Sequence, residues 1–126
     1  MTTMVCFHTA DAAYCIPVDA TRAVRDISGM IALPAGRPNV AGIIPGDPPL
    51  TVISPLGVGG ENILVVEAGG KTFGLLVDAV TGLRRIDDGE IQLAPQGQDR
   101  PLISGTVDTD GRLTLIADPR TLASQL

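Results

Sequence analysis

Cys6, Cys15 and His8 are the side chains best equipped for chemistry in this 126-residue chain, which holds two cysteines and one histidine. Met4 to Thr9 and Ala13 to Val18 read as two strands turning about Ala10-Asp11. With a tight turn, opposed residue numbers sum to 21, so Val5 meets Ile16 and Phe7 meets Tyr14 on a core face. The other face then carries Cys6 directly opposite Cys15, with His8 two residues from Cys6. These are three soft ligands for a metal, yet a structural zinc site takes four, and no other Cys or His completes the set. A cross-strand disulfide fits the register, although a cytoplasmic chain keeps its thiols reduced. The plainest reading is two small thiols packing as hydrophobes.

Other tools of catalysis are sparse. Asp19 and Asp78 are a matched pair of acids, a combination capable of proton chemistry, but each follows a strand at an equivalent place, which suits capping a turn. Gly57-Val58-Gly59-Gly60 precedes a strand instead of joining a strand to a helix, so it reads as a linker and not as a phosphate cradle. No serine or cysteine sits in a nucleophile turn, and Asp87-Asp88 reads as solvated surface. The expectation is a chain with no catalytic residue, no metal and no cofactor.

The elements that would position these groups are organised around Lys71 to Ile86. Phe73-Gly74-Leu75-Leu76-Val77 is apolar or small at odd and even positions alike, so this strand should be covered on both faces. Gly69-Gly70 joins it to Ile63-Leu64-Val65-Val66 as a two-residue hairpin, which pairs Val66 with Phe73 and Leu64 with Leu75. The same pattern occurs earlier. Tyr14 to Ala20 lies over Phe73 to Ala79 at an offset of 59, which also sets Arg25 on Arg84 and Ile27 on Ile86. Val40-Ala41-Gly42-Ile43 with Leu50-Thr51-Val52-Ile53 lies over Ile103 to Thr106 with Leu113 to Ile116 at an offset of 63. Two matches in one order predict two similar halves, about 4–56 and 62–126, within one domain spanning 1–126, joined by a connector at 54–62.

Fifteen glycines and ten prolines cut the chain into strand-length pieces, so the fold reads as mostly β. Strands are expected at Val24 to Ile27, Met30 to Leu33 (ended by Pro34 and Pro38), Asn39 to Ile44, Leu50 to Ile53 and Leu83 to Ile86, with a short one near Ile91 inside a loop from Asp87 to Arg100. A short helical turn should follow Asp19, and Ser54-Pro55 suits a helix start that the glycines cut short. For the last hairpin, a three-residue Thr109-Asp110-Gly111 loop is preferred because it opposes Val107 to Leu113 and Ile103 to Ala117. Asp118-Pro119 then caps a terminal helix to Gln125. Hydrophobic residues at 44% with 18% charged mark a globular chain, whose aliphatic core contains only Phe7, Tyr14 and Phe73 as aromatics. Net charge is −5 and the nine basic residues are dispersed, which argues against nucleic acid. No apolar run approaches a membrane span and no leader pattern opens the chain, so the expected address is the cytoplasm.

Taken in order, Tyr14-Cys15-Ile16-Pro17-Val18, Val24-Arg25-Asp26-Ile27, Val40-Ala41-Gly42-Ile43-Ile44, Leu50 to Ile53, Phe73 to Val80, and Ile103-Ser104-Gly105 with Leu113 to Asp118 resemble the CheW-like adaptors of bacterial chemosensory systems. The likeness runs from about Met4 to Leu122, and GLLVDAV is its most specific piece. It implies two small five-stranded SH3-like β-barrels around a shared core, with short connecting helices and a C-terminal helix. It also implies an adaptor joining the regulatory domain of a CheA-type histidine kinase to the cytoplasmic tip of a chemoreceptor. Val24, Asp26, Ile27, Gly42 and Asp47 are the implied partner-binding positions, with Asp26-Ile27 on the kinase-facing surface and Gly42 a small residue near it. The family usually has Arg-Gly in the loop after the Gly-Ile-Ile strand. This chain has Pro45-Gly46-Asp47-Pro48-Pro49, one residue shorter, so an acid stands near the arginine's place and reverses the local charge. The alternatives are a module of the same fold with a different protein partner, or an enzyme or small-molecule sensor using the groove between the halves.

Overall fold

Ala10-Asp11, Gly69-Gly70 and Asp110-Gly111 all hold positive φ at both positions, between 51° and 80°, the backbone of the tightest hairpin turns. Around them, a computed structural model describes residues 1–33, 39–57, 60–93 and 102–126. The strands are β1 (Thr2–Thr9), β2 (Ala12–Pro17), β3 (Thr21–Asp26), β4 (Ile31–Ala32), β5 (Val40–Ile44), β6 (Leu50–Ile53), β7 (Asn62–Ala68), β8 (Lys71–Val77), β9 (Ala79–Ile86), β10 (Gln92–Leu93), β11 (Ile103–Thr109) and β12 (Arg112–Ala117). Short 3-10 turns cover Val18–Ala20 and Asp88–Glu90, and α1 (Pro119–Ala123) closes the fold. The Asp118 carboxylate accepts from Arg120 N at 3.1 Å and caps α1.

The fold is mostly β, as expected, and its two halves are interleaved. One sheet runs β10-β11-β12-β2-β1-β9, the other β4-β5-β6-β8-β7-β3. Adding six to each strand number, and counting round past twelve, turns the second order into the first. The leading hairpin of each half is therefore seated in the other half's sheet, joined there by a parallel pairing, β12 with β2 and β6 with β8. The bulges repeat as well. Register slips at Arg22 in β3 and at Thr81 in β9, and at Ala41 in β5 and Ser104 in β11, the same offsets of 59 and 63 that the sequence shows.

Each inserted hairpin packs apolar side chains on both faces. Phe73, Leu75 and Val77 of β8 point into a central core with Val5, Phe7, Tyr14 and Ile16, and α1 covers that core with Leu122. On the reverse face of β8, Leu76 joins Ile44, Val52, Ile63 and Val65 in a core belonging to its own sheet. The other sheet has a matching core of Met4, Cys15, Ile86, Val107 and Ile116. Each small core needs its sheet to curl. β3 and β4 are opposite edges of one sheet, and five extended residues reach about 17 Å against the roughly 24 Å of five flat interstrand gaps.

Several expectations are corrected. Among the described residues each sheet has six strands in place of five, because β4 and β10 add a short edge. β9 is one strand from Ala79, not a turn leading to Leu83, since it pairs with β1 along its whole length. The short strand expected near Ile91 lies at Gln92–Leu93. In the last hairpin the turn is Asp110-Gly111, which sets Leu113 opposite Asp108, while Ile103 still faces Ala117 because the bulge at Ser104 absorbs one residue. Leu113 is exposed, so the conflict that favoured a longer loop does not arise. Ser54-Pro55 opens a turn with no helix. Asp78 caps a turn across the halves, accepting from Ala10 N at 3.2 Å, whereas Asp19 makes no such bond among the described residues. Pro34, Pro38, Val58, Gly59 and the loop from 94 to 100 lie outside the described residues.

Gly42 and Gly105 are equivalent at the offset of 63, and each is paired with a short edge strand that approaches it closely. A Cβ on Gly42 would sit 2.5 Å from the Ile31 carbonyl oxygen, and one on Gly105 would sit 2.6 Å from that of Gln92. Either Gly→Ala change should cost about 1–3 kcal/mol, because backbone cannot yield as a side chain can. Urea unfolding checks this, and an unchanged midpoint for Gly42→Ala would contradict the close approach.

Candidate functional site

With three cores filled, exposed apolar side chains stand out at the strand edges. Val24 on β3 is 53% exposed and Leu83 on β9 is 68% exposed. β3 and β9 are the outer strands of their sheets, and the two residues line one groove of about 270 Å³ whose apolar wall is Val5, Val18, Leu64 and Val80. Val24 and Leu83 are equivalent at the offset of 59. The groove thus runs along the seam where the two halves meet.

Strand alternation places Asp26 on the same face of β3 as Val24, and Arg85 on the same face of β9 as Leu83. These two are also equivalent by position, with opposite charge. Ser28 donates its backbone N–H to Asp26 Oδ1 at 2.9 Å, and this bond holds the carboxyl below its ordinary value. Arg22 at the start of β3 pairs with Glu67 at 3.1 Å, and Arg84 pairs with Asp110 at 2.9 Å. Arg25 and Arg85 form no salt bridge among the described residues. An apolar strip left exposed on two outer strands suits a partner surface.

The five residues predicted from sequence fall in three places. Val24 lines the groove, and Asp26 lies two residues further along β3, exposed and outside the groove's lining. Ile27 directly follows β3, giving its N–H to the Glu61 carbonyl at 3.2 Å and taking that of Met30 at 3.0 Å, so it begins the link to β4. Gly42 is not a surface position: it is buried beneath that link, where Met30 Cγ and the Ile31 carbonyl leave no room for a side chain. Asp47 lies exposed in the loop between β5 and β6. Leu83 and Arg85 went unrecognised, although carrying the offset of 59 on from Arg25 to its neighbours finds them.

A larger cavity of about 460 Å³ opens inside the first sheet, lined by Cys6, His8, Cys15, Arg84 and Asp110 among others. Cys15 is fully buried and Cys6 half-buried, both as free thiols. Burial pushes the Cys6 thiol up, tempered by Arg84, and burial with the neighbouring Cys6 pushes Cys15 to about 12. Among the described residues no group of three or more His, Cys, Asp or Glu is placed to hold a metal.

Comparison with known proteins places residues 55–126, more than half the chain, in a match to the family model described as CheW-like domain. A solved structure, that of the scaffolding protein TtCheW from Thermoanaerobacter tengcongensis, superposes with a TM-score of 0.85 at 25% identity, covering 96% of this chain and 86% of that one. No curated protein matches. The five residues predicted from sequence all precede residue 55, whereas Leu83 and Arg85 lie inside the family match.

Two outcomes follow from the exposed geometry. Leu83→Ala should leave stability within about 0.5 kcal/mol, as for surface positions generally, because its side chain is largely in water. Asp26 has a folded pKa below its unfolded one, so the bond from Ser28 contributes fully above the unfolded value and its contribution is lost as pH falls through the folded value. Carbon NMR of the Asp26 carboxyl should show a titration below the ordinary aspartate range, and an ordinary value would contradict the hydrogen bond.

Proposed function

Because the chain belongs to the CheW-like domain family, we propose that it is a non-catalytic adaptor joining the regulatory domain of a CheA-type histidine kinase to the cytoplasmic tip of a chemoreceptor. A scaffold or adaptor role in chemotaxis signalling is the general reading that family membership and the likeness to TtCheW support. The observation that carries the finer reading is the seam groove. Val24 and Leu83 expose apolar surface that the protein's own cores leave uncovered, and an amphipathic helix laid along the groove would bury both.

In this proposal the receptor tip takes the groove, and the kinase takes the end of β3 with Ile27 and the adjoining β5–β6 loop. Gly42 contributes by letting β4 lie close, so its part in binding is one of shape. The adaptor would work in the cytoplasm, where kinase and receptor tip are found; among the described residues no helix is long and apolar enough to cross a membrane. Asp47 favours a second reading, a module of the same fold with another protein partner, because a kinase surface built to meet an arginine in this loop is repelled by an acid.

Titration calorimetry with the two partners separates the readings. Val24→Lys and Leu83→Lys should each weaken receptor-tip binding by roughly tenfold or more, about 1.4 kcal/mol, while kinase binding is kept. Asp47→Arg should strengthen binding to an ordinary kinase of this type. Wild-type protein that binds neither partner would favour the second reading.

A further inference from the structure

The two cysteines face each other on one rung of the β1–β2 hairpin. Thr9 and Ala12 flank the two-residue turn and form a hydrogen-bonded pair, and the pairs alternate in type along the ladder. Cys6 with Cys15 lies three rungs further on and is therefore a non-hydrogen-bonded pair. Such a rung brings its Cα atoms to about 4.5 Å, inside the roughly 4.4–6.8 Å that a disulfide spans. Both side chains point to the same face, since both pack with Met4 and Ile86 in the small core of that sheet. The cavity of about 460 Å³ touches both residues, so a small molecule reaching the half-buried Cys6 arrives beside Cys15. His8 lines the same cavity without completing a metal-binding group.

We propose that Cys6 and Cys15 are a modification site, a dithiol that closes to a cross-strand disulfide on meeting a low-molecular-weight disulfide oxidant. Cys6, the more accessible thiol, loses its proton and its sulfur attacks one sulfur of the oxidant. A mixed disulfide forms and the first small thiolate leaves. Cys15 then loses its proton and attacks Cys6 Sγ, the Cys6–Cys15 bond forms, and the second small thiolate leaves. The protein gives up two protons and two electrons, and one oxidant molecule becomes two thiols. Burial of both groups keeps the thiols protonated, so the site stays reduced until the oxidant is abundant.

Incubation of the folded protein at low concentration with oxidised glutathione tests this. Both thiols should disappear together from a thiol titration, and the intact mass should fall by two hydrogens with no added glutathione. Digestion under denaturing, non-reducing conditions with a protease that cuts before Asp11 should then yield the segments bearing Cys6 and Cys15 still joined. The melting temperature of the oxidised protein should equal or exceed that of the reduced one, because the native rung needs no rearrangement. Cys6→Ser should leave Cys15 unreacted in the folded state. Stable glutathione adducts, disulfide-linked dimers, unreacted thiols, or a melting temperature lowered by oxidation would each overturn the proposal.

Discussion

The hairpins β1–β2 and β7–β8 each pack apolar side chains on both faces, and the rest of the structure depends on that packing. A strand with apolar side chains pointing both ways needs a cover on each side. Here one cover is the curled sheet to which the hairpin belongs, and the other is the opposite hairpin with α1. Phe73, Leu75 and Val77 are wholly removed from water on one face and Leu76 nearly so on the other, and each such side chain contributes about 1.5–3 kcal/mol relative to exposure. Neither half can meet this requirement alone, because its own hairpin sits in the sheet of the other.

The interleaving also decides where apolar surface is left over. With both hairpins in central positions, β3 and β9 become outer strands, and Val24 and Leu83 on them face the seam rather than a core. A seam between two related halves carries equivalent residues on its two sides, as Val24 and Leu83 are here. The chain's chemistry is consistent with a surface of this kind. Its acids cap turns, as Asp78 and Asp118 do, and its buried cysteine fills a core.

Local patterning determined much of this protein. Two-residue turns with a glycine or an acid at the required φ, strand-length apolar runs and the spacing of repeated segments were legible, and with them the registers of β1–β2 and β7–β8 to the residue. These succeed because hairpin pairing is a local consequence of turn length, and because both-face burial writes itself into a strand as an unbroken apolar run. Family likeness was legible in the order of the same segments.

Only the tertiary structure decided what depends on residues far apart in the chain. The repeat announces two halves but not that their hairpins change places, since parallel pairings such as β6 with β8 leave no local mark. The bulge at Ser104 reconciles two registers that look incompatible on paper, and nothing in a single strand foretells it. Gly42 reads as a small residue near a partner surface until β4 is seen paired close against it. Leu83 reads as the start of a strand, and its exposure beside Val24 exists only because two distant edge strands meet at one seam.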